Sequence, residues 1–183
     1  MSSDHGFVVT GSRRILDAAF LSIDERRIVT PDGSVIDRVV VAHPGAVAVV
    51  PFIGDDIILI EQYRAAADAL VLEIPAGRLD PTDSDREQAA RRELLEETGF
   101  TARELTHLTD VWTAVGFSDE VITIMAATGL TMGQAAPDGP EERAATIHRI
   151  PFIDAVRRVV SGEIKDSKTI AGIMIAHAHR TAS

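Results

Sequence analysis

The chain has 183 residues, and its 28 acidic against 18 basic side chains give a formal net charge of −10. Apolar residues make up 45% of the sequence, which suffices for a packed core and excludes a disordered chain. The negative charge excludes passive binding to a polyanion, and the absence of cysteine excludes disulfides, a cysteine nucleophile and thiolate zinc sites.

Features that the sequence lacks exclude further classes of partner. Aromatic residues are only 4% of the chain, which argues against a base-stacking surface, so we expect no nucleic-acid partner. No run of 18 apolar residues occurs, and the first seven residues lack the basic-then-apolar pattern of a signal peptide. We therefore expect a cytoplasmic protein with no membrane partner.

Runs rich in β-branched residues dominate the first third of the chain and recur after its middle. Such runs, bounded by Gly, Pro and Asp turn signals, indicate the strands of a sheet. The predicted strands lie at residues 7–15, 20–28, 35–41, 47–52, 57–62, 70–74, 105–112, 120–127 and 146–150.

A helical period replaces the strand pattern between residues 86 and 98. Ser84 and Glu87 have the spacing of a capping box, so we expect this helix to begin near Ser84, and Gly99 marks its end. A Gly- and Pro-rich loop at 129–140 precedes the last strand. Because strands come first, a helix lies in the middle and two more helices are predicted at the end, the order of elements points to an α+β fold or an α/β sandwich rather than a regular βαβ array. The terminal helices are expected at residues 151–161 and 167–179.

Three carboxylates lie at Glu93, Glu96 and Glu97, where helical spacing places them on one face. A divalent cation would offset their repulsion, and oxygen ligands favour Mg²⁺, Mn²⁺ or Ca²⁺. The charge pattern alone also describes a merely solvated helix face, since Arg92 lies four residues before Glu96.

The wider string decides between these two interpretations. The segments GRLD at residues 77–80 and RELLEETGF at 92–100 resemble the Nudix box, the loop–helix–loop signature of hydrolases that cleave nucleoside diphosphates linked to another group. Fourteen residues separate Gly77 from Arg92 where that family has thirteen, and its first glutamate is replaced by Asp83, Ser84 or Asp85. We interpret the extra residue as a lengthening of the loop before the helix, and we expect Ser84 to be the helix cap.

Four short motifs in the rest of the chain resemble those of the ADP-ribose pyrophosphatase branch of that family. They are HPGAV at 43–47, EQYR at 61–64, LEIPAG at 72–77 and GFSDE at 116–120. The resemblance implies a Nudix fold over residues 42–183, with a mixed β-sheet between helices, and an N-terminal β-arm over residues 1–41. It also implies hydrolysis of ADP-ribose to AMP and ribose 5-phosphate. Enzymes of this branch are commonly homodimers, so we expect a homodimer in which the arm forms part of the interface and reaches the partner's substrate site.

The same resemblance assigns the metal site. The backbone carbonyl of Ala76 and the carboxylates of Glu93, Glu96 and Glu97 are expected to hold Mg²⁺ or Mn²⁺. Arg92 is expected to orient the carboxylates, as groups behind metal ligands usually do.

The resemblance assigns substrate binding and proton transfer to other segments of the chain. The general base of this branch comes from an acidic loop between two late strands, so we favour Glu141 as the base and Glu142 as its neighbour or an additional ligand; the reverse assignment stays open. Arg64 is expected on the phosphates or the terminal ribose, because a guanidinium binds phosphate oxygens bidentately. The substrate-facing loop is expected to contain Gly116, Phe117 and Ser118.

Other functions stay open at this point. The same chemistry could act on GDP-mannose, a UDP-sugar or a dinucleoside polyphosphate. A non-catalytic sensor of ADP-ribose or an NAD-type ligand is a second alternative, although such a module does not need the full carboxylate set. A structural dimerisation protein with an acidic helix is the third.

Overall fold

The computed structural model describes residues 5–133 and 143–182. The chain divides into two compact units: the first comprises Met1–Gly45 and Trp112–Glu120, and the second comprises Ala46–Val111 and Val121–Ser183. Within the described ranges, no helix combines the length and the apolar character needed to cross a lipid bilayer.

The first unit contains a three-stranded antiparallel meander in the order β1-β2-β3. The turn before β3 depends on Gly33, whose φ of 83° lies in the left-handed region and whose N–H donates to the Thr30 carbonyl at 2.9 Å. Every residue of β1 is exposed. The three strands are β1 (Val8–Ala18), β2 (Leu21–Val29) and β3 (Val35–Ala42).

The segment Trp112–Glu120 belongs to this first unit, although the sequence placed it outside the arm. The Val41 N–H donates to the Phe117 carbonyl at 2.7 Å, and the Asp119 N–H donates to the Val41 carbonyl at 3.2 Å. The Asp119 carboxylate accepts from the His43 N–H at 2.9 Å and from Arg26 at 2.8 Å. These bonds fasten the segment along β3.

The second unit is built on a mixed sheet in the order β12-β5-β4-β10-β9, in which β6 also pairs with β5 and β7 with β4. The two central strands, β4 and β10, are parallel, whereas β5 runs antiparallel to β4 and to β12. The strands are β4 (Ala46–Ile53), β5 (Asp56–Arg64), β6 (Ala69–Glu73), β7 (Ala76–Arg78), β8 (Phe100–Thr101), β9 (Glu104–Trp112), β10 (Val121–Thr128), β11 (Thr131–Met132) and β12 (Thr146–Pro151).

Helices cover both faces of this sheet, because alternate residues of its central strands are apolar on each side. On one face, Val47 and Val49 pack against Ala89 and Leu94 of α1 (Arg86–Thr98). On the other face, the core takes in the apolar side chains of the two C-terminal helices, α2 (Phe152–Val160) and α3 (Ser167–Ala182). The predicted α/β/α sandwich is confirmed.

Three short strands were not predicted. β7 lies where the sequence indicated only the end of a strand, and β8 pairs with β11 inside the predicted loop 129–140. Strands of two or three residues are too short to show a hydrophobic period, so a pattern in the sequence does not predict them. Residues 134–140 of that loop lie outside the described part of the chain.

Candidate functional site

The N-terminus of α1 lies one residue later than the sequence indicated. Asp85 is the N-cap, and its Oδ1 accepts from the Gln88 N–H at 2.8 Å. The Gln88 Oε1 in turn accepts from the Ser84 N–H at 2.6 Å. The expectation that Ser84 caps the helix is therefore wrong, because the adjacent Asp85 offers a stronger acceptor at the position where the backbone turns. The predicted end is confirmed: Gly99 has a φ of 73° and its N–H donates to the Leu95 carbonyl.

Two carboxylates of α1 lie against the backbone of β7. The Ala76 N–H donates to Glu97 Oε2 at 2.8 Å. A Cβ atom placed on Gly77 would lie 2.1 Å from both Cδ and Oε1 of Glu93, so only glycine leaves room for this carboxylate. The strand and the helix thus bring Ala76, Glu93 and Glu97 together.

Arg92 lies between the carboxylates of Glu93 and Glu96. Its Nη1 donates to Glu93 Oε1 at 2.7 Å and to Glu96 Oε2 at 2.9 Å. Its Nη2 donates to the Arg78 carbonyl at 3.1 Å. Glu93 and Glu96 therefore share the Arg92 guanidinium, and Glu97 accepts from the strand backbone.

The far edge of the Arg92 guanidinium binds Asp83. Nε donates to Asp83 Oδ1 at 3.2 Å and Nη2 donates to Oδ2 at 3.0 Å, a bidentate pair. The hydrogen bonds from Arg92 hold the pKa of Asp83 below its ordinary value, and the same pairing is the first cause that raises the pKa of Arg92. Of the three positions left open for the first acidic residue, Asp83 is the one that contacts the arginine.

The loop before α1, which is one residue longer than the family pattern, contains a closed turn that ends at Asp83. The Asp83 N–H donates to the Asp80 carbonyl at 2.9 Å, and Asp83 Oδ2 accepts from the Asp80 N–H at 2.8 Å, so this turn is closed before the helix starts. Ser84 and Asp85 then form the entry to α1. With this longer loop, Arg92 still contacts both Glu93 and Glu96.

The donor set suits a hard divalent cation. Carboxylate oxygens and a backbone carbonyl are the ligands that Mg²⁺ and Mn²⁺ prefer. The space that Gly77 leaves open for the Glu93 carboxylate is the structural observation that fits such a site. Within residues 5–133 and 143–182, no three acidic or histidine side chains are grouped closely enough to hold a metal ion. Arg92 Nη1 binds both Glu93 and Glu96.

Arg64 is fixed by a residue to which the sequence assigned no role. Its Nε and Nη2 donate to the two carboxylate oxygens of Glu73 at 2.8 and 2.7 Å. Lys168 donates to the same carboxylate at 2.5 Å. The sequence offered one indication of this contact, a glutamate at the end of an otherwise apolar strand. Its partner Lys168 lies 95 residues away, and no sequence pattern links the two.

The other predicted site residues are distributed as follows. Gly116, Phe117 and Ser118 belong to the first unit, where the Phe117 side chain is exposed and the Ser118 hydroxyl donates to the Val41 carbonyl at 3.2 Å. Glu141 and Glu142 lie outside the described residues.

Comparison with known proteins agrees with this fold. The family model of the NUDIX domain matches residues 42–165, more than half of the chain, so the protein belongs to the Nudix family. Nudix pyrophosphatases depend on divalent metal ions.

Individual relatives cover most of the chain. It is 36% identical over 182 residues to an ADP-ribose pyrophosphatase of Mycobacterium tuberculosis, and the matched region covers 98% of this chain and 87% of the relative. It is 36% identical over 144 residues to an ADP-ribose pyrophosphatase of Bacillus subtilis, 78% of this chain and 77% of that one. A crystal structure of an ADP compounds hydrolase superposes with a TM-score of 0.85 at 20% identity, over 100% of this chain and 98% of the other, which shows the shared fold.

Proposed function

We propose that the protein hydrolyses the diphosphate linkage of ADP-ribose to AMP and ribose 5-phosphate, with a divalent metal ion as cofactor. The observation that carries the proposal is the packing of the α1 carboxylates against the Ala76–Gly77 backbone, with Arg92 bound to Glu93, Glu96 and Asp83. The similarity to two ADP-ribose pyrophosphatases supports this choice of substrate.

Mg²⁺ or Mn²⁺ is the proposed cofactor, held by the carbonyl of Ala76 and the carboxylates of Glu93, Glu96 and Glu97. A divalent ion bound there would neutralise the diphosphate and lower the pKa of the attacking water. Arg92 orients its neighbouring carboxylates, because its guanidinium donates to both and its delocalised charge offsets their mutual repulsion.

The remaining roles follow the sequence prediction. Glu141 or its neighbour Glu142 is proposed to take the proton of the attacking water, a contribution of roughly 10² to 10⁴ in rate. Arg64 is proposed to bind the diphosphate, since its Nη1 makes no hydrogen bond with any described residue. Gly116, Phe117 and Ser118 are proposed to contact the substrate, with the exposed Phe117 ring available for packing on it.

We further propose that residues 42–183 form the catalytic domain and that residues 1–41 form an arm through which two copies associate. The support is the exposure of large apolar side chains in the arm. Five of them are more than half exposed: Val8, Val9, Leu16, Val35 and Val39. The cytoplasmic location expected from the sequence stays a prediction.

A substrate panel tests the proposed reaction. The purified protein is incubated with ADP-ribose, GDP-mannose, a UDP-sugar and a dinucleoside polyphosphate, with Mg²⁺ or Mn²⁺, and products are separated by chromatography. We expect AMP and ribose 5-phosphate from ADP-ribose at the highest kcat/KM. Turnover of another compound without ADP-ribose would refute the substrate, and binding of ADP-ribose without turnover of any compound would favour a sensor.

A further inference from the structure

A group of four charged side chains around a buried carboxylate lies outside the Nudix box. At its centre is Glu73, whose side chain is only 2% exposed and whose carboxylate accepts two hydrogen bonds from Arg64 and one from Lys168. A buried carboxylate is costly unless it is fully paired, and two cations satisfy this one. Glu73 ends β6, three residues before Ala76 of the candidate metal site.

Lys168 ties this carboxylate to the N-terminus of α3. Its Nζ donates to Glu73 Oε2 at 2.5 Å and to Asp166 Oδ2 at 3.0 Å. The same Asp166 oxygen accepts from the Thr169 N–H at 2.9 Å, and the Thr169 hydroxyl accepts from the Ile74 N–H at 2.9 Å. Two successive residues of α3, Lys168 and Thr169, are therefore bonded to Glu73 and to the residue that follows it.

The choice of lysine here is unusual for this chain. Only two of its 18 basic residues are lysines, Lys165 and Lys168. Lys165 is exposed, whereas Lys168 is 8% exposed and lies between two carboxylates. A compact ammonium fits between two acidic groups where a planar guanidinium would need more room.

Arg64 is the member of this group that reaches the surface. Its side chain is 43% exposed, although the carboxylate that holds it is buried. Glu73 uses Nε and Nη2, and among the described residues nothing accepts from Nη1, which leaves that edge for an anion. The charges of Glu97 and Asp166 also act on Arg64, after Glu73 itself, in raising its pKa.

We infer that Glu73 and Lys168 are positioning residues that hold Arg64 ready for the diphosphate of the substrate; the inference rests on the proposed function. Glu73 fixes the plane of the guanidinium through two hydrogen bonds. Lys168 supplies the second positive charge, so that Arg64 is not the sole cation facing Glu73 and Asp166. Without Lys168 the group has a net negative charge, which opposes binding of a phosphate at Arg64.

The first test is a kinetic comparison of Lys168→Met with Lys165→Met, which removes the same charge at an exposed site three residues away. For Lys168→Met we expect KM for the diphosphate substrate to rise about tenfold with kcat within about twofold, and Lys168→Arg to recover part of the loss. Lys165→Met should match the wild type. An unchanged KM in Lys168→Met, or a fall in kcat alone, would overturn the inference.

The second test observes Lys168 itself in the wild-type protein, so its main readout does not depend on whether a Lys168 variant folds. Protein labelled with ¹³C-lysine has two lysine side-chain signals, which Lys165→Arg assigns. Inorganic pyrophosphate is added in the presence of EDTA. We expect the Lys168 signal to shift with saturation and the Lys165 signal to stay, and Arg64→Met to abolish the shift.

The two tests separate this inference from the proposed function. A Lys168 signal that stays fixed up to millimolar pyrophosphate would overturn the positioning role, even if the enzyme hydrolyses ADP-ribose. A saturable shift in a protein that hydrolyses no nucleoside diphosphate would support the role and refute the proposed reaction.

Discussion

The Glu93 carboxylate lies so close to Gly77 that a Cβ atom on Gly77 would be 2.1 Å from its carboxyl carbon. The contact joins the strand β7 to the helix α1 at the candidate metal site. Because the clash is with a carboxyl group that Arg92 also holds, the side chain has little room to move away.

Gly77→Ala should therefore displace Glu93 and lower kcat/KM at least about 100-fold. The change is confined to one methyl group, so the protein should still fold. Activity and the melting temperature are measured on the same samples, with Mn²⁺ affinity from paramagnetic relaxation of water. Wild-type activity in Gly77→Ala would show that Glu93 need not stay where the structure has it.

Asp83→Asn tests the contact that fixes the other edge of Arg92. An amide cannot accept both N–H groups of the guanidinium as a carboxylate does, so we expect kcat/KM to fall about tenfold to 100-fold. Asp85→Asn is the matched control, since it removes one charge two residues later but keeps a good N-cap. Equal losses in both variants would mean that loop charge, rather than the Arg92 pairing, matters.

The same carboxylate gives a pH dependence of stability. Arg92 holds the pKa of Asp83 below its ordinary value in the folded protein. A lowered folded-state pKa contributes stability that is present above the unfolded-state pKa of about 3.9 and is lost as the pH falls through the folded-state pKa. The melting temperature of the wild type should exceed that of Asp83→Asn at pH 6, and the gap should shrink below about pH 4. A gap that stays constant down to pH 2.5 would contradict this pairing.

The cap of α1 is tested by two alanine variants. Asp85→Ala should lower the free energy of unfolding by about 1 kcal/mol, because the Gln88 N–H loses its acceptor. Ser84→Ala keeps the backbone N–H that binds Gln88 Oε1, so it should cost at most a few tenths of a kcal/mol. Urea denaturation measures both, and the reverse order would reinstate Ser84 as the cap.

Much of the site could be predicted from the sequence because its residues lie within one helix and the strand before it. The spacing from Arg92 to Gly99 specifies a helix, and α1 has that end. The start was misplaced because Ser84 and Asp85 are adjacent residues of the same capping class, and only the backbone conformation distinguishes them. The extra loop residue made the position of the first acidic group ambiguous for the same reason.

The pairing of Glu73 with Lys168 had no such local signal. Contacts between residues 95 positions apart depend on how β6 and α3 pack, which no periodicity encodes. The roles of Glu141 and Glu142 remain predictions, since they lie outside the described residues.

The proposed arm predicts a dimer in solution. Sedimentation velocity or light scattering should give a mass near twice the 19.7 kDa of the chain. Val9→Glu places a charge among the exposed apolar side chains of β1 and should shift the protein towards monomer. A wild type that stays monomeric at all concentrations would refute the arm as a dimer interface.

The central claim is that the α1 carboxylates support metal-dependent hydrolysis of ADP-ribose, and Glu97→Gln tests it most directly. Glu87→Gln is the control, because Glu87 lies on the same helix and pairs with Arg91 at the surface. AMP release from ADP-ribose is measured against Mg²⁺ and Mn²⁺ concentration for both variants and the wild type. We predict that Glu97→Gln loses at least about 100-fold in kcat while Glu87→Gln stays within about twofold of the wild type. Undiminished, metal-dependent AMP release by Glu97→Gln would contradict the account.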